Sequence, residues 1–299
     1  MERIIEILKT EGPLTGKELL FKSNMEGLNL WRICMQSEII MTKRFGKRYL
    51  RFDRNVEGYA RLSPSIMREF YTYTVIGLEN DRNKIIQKAN SLYDDTLTIS
   101  KRKLQLAEEI VHKVIGVQKD PQNIKDKACF IIAGDVVYDM AHSEPRPESS
   151  TGKLVQGSDL DIVIISVGLK EDEIESIDQS VYNEKYRLLV SPTDKEEIDY
   201  VVKDISKVEE QLLYNSFKTM VASKILYEGK YLYGSEKIFS EIKNMLKNKK
   251  IDEKIKQSER QAINGRKNAQ ACLLEGLDSI SEEEAIKLFY TKEEKEEFF

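Results

Sequence analysis

Three aspartates, Asp159, Asp161 and Asp199, stand where their carboxylates could work together. Two of them lie in Gly157-Ser158-Asp159-Leu160-Asp161-Ile162-Val163-Ile164-Ile165, at the head of an unbroken, largely β-branched run. On a strand, residues i and i+2 share a face, about 6.5–7 Å apart. Two carboxylates anchored this way make a platform for a hard divalent cation, which takes oxygen ligands. A third acid should come from a neighbouring strand, and Glu197-Ile198-Asp199-Tyr200-Val201-Val202 offers Asp199 in an acid–apolar–acid–apolar pattern. Upstream, Cys129-Phe130-Ile131-Ile132-Ala133 has the composition of a buried strand. It ends in Gly134-Asp135, where the backbone can turn tightly and open a helix toward a phosphate.

The order strand–Gly–helix, then Asp-x-Asp on a strand, then a lone Asp on a strand resembles the nucleotidyltransferase superfamily, which includes DNA polymerase beta, kanamycin nucleotidyltransferase and the small antitoxin nucleotidyltransferases. The resemblance runs from Lys127 to Lys237. It implies that the three carboxylates bind two magnesium ions, with manganese as a substitute. Asp159 and Asp161 would be metal ligands, while Asp199 would hold the catalytic metal and help deprotonate the acceptor. The implied reaction moves a nucleoside monophosphate from a nucleoside triphosphate such as ATP to an acceptor hydroxyl on a small molecule, a nucleic acid or a protein, and releases pyrophosphate. Gly134, Asp135, Gly157 and Ser158 would face the nucleotide, and Lys218 and Lys224, on the helix after the third acid, would meet its phosphates. The chain departs from the pattern twice. Asp135 replaces the usual small residue after the glycine, and residues 141–152 form an insert whose Pro, Ser and Gly mark a loop. Within that insert His142 is a further candidate for substrate or metal contact.

Positioning these residues needs a sheet, and the rest of the chain is patterned mainly for helices. Residues 1–57 read as a winged helix-turn-helix. Ile4, Ile5, Ile7 and Leu8 form a helical stripe stopped by Gly12-Pro13. Thr15 with Glu18 makes a capping box for a second helix. A third helix over Leu28–Ser37 would leave Asn29, Arg32 and Gln36 outward. Strands at 39–42 and 49–52 are expected to pair through Arg44-Phe45-Gly46-Lys47. The resulting wing would carry Lys43, Arg44, Lys47, Arg48 and Arg51, which with Arg32 suit DNA or RNA phosphates. Packing or dimerisation is the other use of such a module.

Residues 58–120 read as a mixed connector and long helical bridge. Pro64 is expected at an early helical position, and a strand is expected over 71–76. Phe70, Tyr71 and Tyr73 are read as packing residues rather than base-stacking ones, and His112 as a surface or packing residue. Residues 121–237 are the expected catalytic core, with an acidic stretch over 170–178 and one helix over 205–228. Residues 238–299 are a C-terminal helical region with helices over 258–277 and 281–290, the second starting with a capped acidic turn at Glu282-Glu283-Glu284. The predicted class is therefore α+β, a mixed α/β chain in which a small sheet is flanked by helices.

At 299 residues the chain has room for more than one domain. Its 40% apolar residues can fill a core, and 33% charged residues suit a soluble protein. With charge from the second residue and no long apolar run, neither a leader nor a membrane span is expected, and the expected location is the cytoplasm. A net charge of −4 gives no global nucleic-acid signal. Cys34, Cys129 and Cys272 are widely spaced and read as reduced core thiols. Zinc spacing, a nucleophile elbow and a Walker loop are all missing from the sequence. The alternative function is a winged-helix, nucleic-acid-binding regulator whose transferase core only senses nucleotide.

Overall fold

Apolar periodicity sets the first elements. Helix α1 (Glu2–Glu11) buries Ile4 and Leu8 and ends at Gly12, whose φ is 79°. After a short strand β1 (Leu14–Thr15), helix α2 (Gly16–Ser23) opens with the predicted capping box: the Thr15 hydroxyl accepts the Glu18 N–H, and the Glu18 carboxylate accepts the Thr15 N–H. Helix α3 (Gly27–Gln36) is capped by Glu26, which accepts the N–H groups of Leu28 at 2.9 Å and Asn29 at 2.8 Å. These are donors that a helix start otherwise leaves unsatisfied. The computed structural model describes residues 1–148, 151–275 and 280–291.

The expected wing hairpin does not form. Strand β2 (Ile40–Arg44) is followed by β3 (Tyr49–Phe52), β4 (Ala60–Ser63), helix α4 (Ile66–Thr72) and strand β5 (Thr74–Leu78). β5 lies between β1 and β2, antiparallel to both, while β3 pairs with β4. The physical reason is burial: Val75 and Ile76 are completely enclosed, so β5 takes the central place and draws β2 away from β3. The Asp53–Arg61 ion pair, at 2.9 Å, then closes the β3–β4 hairpin. α4 starts after Ser65, whose hydroxyl accepts the Arg68 N–H, so Pro64 precedes the cap instead of entering the helix. The strand expected over 71–76 is split: Tyr71 and Thr72 finish α4, and β5 begins at Thr74. Phe70, Tyr71 and Tyr73 are buried, as packing residues should be.

Helix α5 (Arg82–Gly116) is a single 35-residue helix, and α6 (Pro121–Lys127) follows with Asp120 as its cap. Then come β6 (Ala128–Ala133), a 3₁₀ turn over Gly134–Tyr138, and the insert, in which β7 (Pro145–Pro147) pairs with β8 (Leu154–Gln156). Strand β9 (Leu160–Ser166) leads to α7 (Glu171–Val190), one helix that takes in both the acidic stretch and the segment after it. Strand β10 (Ile198–Asp204) follows. The helix expected over 205–228 is two, α8 (Ile205–Gln211) and α9 (Phe217–Glu228). They part where Tyr214 turns left-handed, with φ 56°, and Ser216 caps the second. The chain continues through β11 (Lys230–Gly234), α10 (Glu236–Asn248), α11 (Ile251–Glu275) and α12 (Glu282–Phe289), the last capped by Ser281 as predicted. Leu277 and residues 292–299 lie outside the described residues, as do Ser149 and Ser150 of the insert.

These elements make a mixed α+β protein and group into two compact units. One comprises Met1–Asp95 with the described residues from Glu259 onward; the other is Thr96–Ser258. The first has a core of Ile4, Leu8, Leu30, Trp31 and Ile76 that Leu273, Ala285 and Phe289 complete. In the second, the sheet runs β10-β9-β6-β11. β9 and β10 are parallel, while β6 is antiparallel to both its neighbours. Alternate residues Phe130 and Ile132 of β6 and Ile162 and Ile164 of β9 pack with Ile110, Val114, Ile177 and Val181 of α5 and α7. Cys34, Cys129 and Cys272 are all free thiols, the first two buried. No helix among the described residues is long and apolar enough to cross a membrane.

Candidate metal centre

The parallel β9–β10 pair sets Asp199 directly opposite Asp161, and Ala133 at the end of β6 faces Asp161 from its other side. Asp159 enters just before β9. One carboxylate oxygen from each of Asp159, Asp161 and Asp199 lies within 4.8 Å of the other two, so the three could hold a metal ion. The donor set is all oxygen, which suits a hard cation rather than zinc. Access is open: the Asp199 side chain is 59% exposed.

Gly134 makes the space that Asp161 uses. Its φ is 69°, and a Cβ there would stand 1.9 Å from Asp161 Oδ2. The second turn is as tight. Gly157 has φ 64°, and a Cβ on it would meet the His142 carbonyl oxygen at 1.7 Å. Ser158 N–H donates to that carbonyl at 3.1 Å, and its hydroxyl accepts the His142 N–H at 3.2 Å. The same hydroxyl donates to Asp135 Oδ2 at 2.8 Å. Asp135 and Ser158 therefore tie the two glycine turns together. His142 joins them through its backbone, and its Nδ1 accepts the Glu144 N–H at 3.3 Å.

Of the two candidate lysines, Lys218 is exposed in the first turn of α9. Lys224 is buried and paired with Glu228. Glu228 also accepts the Tyr138 hydroxyl at 2.6 Å and the Gly134 N–H at 3.4 Å, so Lys224 stands beside the first turn.

Three charged residues that sequence reasoning did not select complete the surroundings. Arg146, from β7, places Nη2 2.8 Å from Glu197 Oε2 and 4.0 Å from Asp159 Oδ2. Glu197 is buried beside the start of β10, and burial pushes its carboxyl above the ordinary value. Arg146 opposes that shift, while Asp159 and Asp199 add to it. Lys185, from α7, lies 3.7 Å from Asp199 Oδ1. Glu197 had a signal, being two residues before Asp199 on the same strand pattern. Arg146 had none, because a Pro-flanked arginine in an insert reads as solvated loop.

The basic residues of the first unit fall into two groups. Arg32 Nε donates to the Leu273 carbonyl and Gln36 Nε2 to that of Leu274 at 2.8 Å, so the face expected to point outward is occupied by the end of α11. Arg48 grips Glu69 with two hydrogen bonds, of 2.5 and 2.6 Å. Lys43, Arg44, Lys47 and Arg51 are exposed, and Arg44 Nη1 donates to the Gly46 carbonyl at 2.9 Å. Comparison of the chain with protein-family models, with curated proteins and with solved structures finds no match.

Proposed function

We propose that the chain is a magnesium-dependent nucleotidyltransferase, which moves a nucleoside monophosphate from a nucleoside triphosphate to an acceptor hydroxyl. The observation that carries this reading is the convergence of Asp159, Asp161 and Asp199 at the Gly134 end of one sheet. Asp159, Asp161 and Asp199 would hold magnesium, which supplies neutralisation of the triphosphate and of the charge that builds in in-line transfer. Asp199, the most open of the three, would take the acceptor's proton. The Gly134 and Gly157 turns would give the nucleotide a close backbone approach, and the Asp135 carboxylate between them is held by the Ser158 hydroxyl at 2.8 Å.

Purified protein is incubated with each of the four triphosphates and magnesium or manganese, beside Asp161→Ala. Pyrophosphate release by the wild type alone supports the reading. Absence of binding and turnover with every triphosphate, with the variant indistinguishable, removes it. The regulator alternative draws less support, because Arg32, Gln36 and Arg48 are engaged within the first unit.

A further inference from the structure

Two buried glutamates stand side by side where the chain enters β10, and each meets a cation from a different element. Glu196 pairs with Lys103 of α5, a lysine with no exposed surface. Glu197 pairs with Arg146 of the β7–β8 hairpin. Each cation also holds the chain that leads into Asp159. Lys103 Nζ donates to the Gln156 carbonyl at 3.0 Å, and Arg146 Nε donates to the Gly157 carbonyl at 2.8 Å. The segment carrying Asp159 and the segment carrying Asp199 are thus joined by two parallel cationic bridges. Arg146 also reaches onward to the cluster, with Nη2 4.0 Å from Asp159 Oδ2.

We propose that Arg146 is a positioning residue of the metal centre: by spanning Gly157 and Glu197 it sets the spacing of Asp159 and Asp199 for a divalent cation. The inference rests on the metal-binding role of the three aspartates proposed above. A guanidinium suits the task because its planar fork donates in fixed directions, one to the carbonyl and another to the carboxylate. A lysine keeps the charge and loses the span. The β7–β8 hairpin is then more than an elaboration of a loop, since it delivers a strut between the segments that carry Asp159 and Asp199.

Charge and position predict opposite outcomes, and this makes the idea testable. If Arg146 acted only as a nearby positive charge, Arg146→Ala would tighten manganese binding, because a repelling neighbour of the incoming cation would be gone. If it positions the ligands, Arg146→Ala and Arg146→Lys both weaken binding, by roughly ten- to a hundredfold, as loss of ligand-orienting partners generally does. Manganese affinity is measured by electron paramagnetic resonance on the full chain without nucleotide, for wild type, Arg146→Ala, Arg146→Lys and Glu197→Gln, with circular dichroism to confirm folding. Weakening in both arginine variants, with Arg146→Lys/Glu197→Gln no weaker than the worse single variant, is expected. Unchanged or tighter binding in folded Arg146→Lys overturns the proposal while leaving the metal reading intact. Should Arg146→Ala not fold, Arg146→Lys and Glu197→Gln carry the same comparison. If the wild type itself binds no manganese, the metal reading fails, and the positioning role falls with it.

Discussion

A methyl group on Gly134 would stand 1.9 Å from Asp161 Oδ2, so the glycine and the aspartate are fitted to one another across neighbouring strands. Gly134→Ala should therefore injure the site more than the fold. The left-handed φ of 69° costs a non-glycine residue roughly 1–2 kcal/mol. The carboxylate must also swing aside, and a displacement on the order of 1 Å at a reacting centre can cost about a hundredfold in rate. If the proposed transfer is the reaction, pyrophosphate release should fall by about that factor, with only a modest drop in melting temperature. A variant with full turnover would show that Asp161 is not held where the reaction needs it.

Lys203 links stability to pH. Burial pushes its ammonium down to about 8, against an ordinary 10.5, while its Nζ donates to Gln211 Oε1 at 2.7 Å. Between those two values the unfolded chain keeps the proton that the folded chain has released. The unfolded state then binds more protons, so stability rises with pH through this window. The burial penalty is present in full below about 8 and is relieved toward 10.5. Urea unfolding at pH 7.5 and pH 10 should show wild type gaining on Lys203→Met by about 1–3 kcal/mol. Equal differences at the two pH values would contradict this.

Arg48 should prove structural. Glu69 is nearly buried, and Arg48 supplies its two hydrogen bonds, with Arg266 Nη1 3.8 Å away. Arg48→Ala leaves that carboxylate short of partners and should cost about 1–3 kcal/mol in urea unfolding. Its effect on a salt-titrated gel shift should be small. A large loss of nucleic-acid binding at unchanged stability would reverse the assignment.

Lys243 ties α10 to the end of α9. Its Nζ donates to the carbonyls of Leu226, Tyr227 and Gly229 at 2.8, 2.8 and 2.7 Å, groups that a helix end leaves without partners. Lys243→Met should destabilise the chain by roughly 2–3 kcal/mol, read from the urea midpoint, because three partly buried acceptors lose a charged donor. An unchanged midpoint would mean that water satisfies them as well.

How much was legible in the sequence depended on the range of the cause. The capping box at Thr15 and Glu18, the cap at Ser281 and the three aspartates rest on spacings of two or three residues, and the structure shows each capping contact and brings the acids together. Strand partnership is a long-range choice. Nothing local says that Ile40–Arg44 prefers Thr74–Leu78 to the nearby Tyr49–Phe52, because the deciding quantity is the burial of Val75 and Ile76. Arg32 shows the same limit. An arginine on a helix face looks solvent-directed until the carbonyl of Leu273, far along the sequence, arrives to accept its hydrogen bond. Arg146 was out of reach for both reasons, since its partners are set by the insert's fold and by the entry to another strand.

The division of the chain has a consequence for its birth on the ribosome. Thr96–Ser258 is one continuous stretch, so the unit with the three aspartates can finish folding as soon as it emerges. The other unit begins first and closes last, because Ile4 and Trp31 must wait for Leu273, Ala285 and Phe289 to be translated. Nascent chains should therefore display an open apolar N-terminal segment to chaperones throughout synthesis of the middle unit. A premature stop ahead of Leu273 would strand that segment permanently while sparing the aspartates.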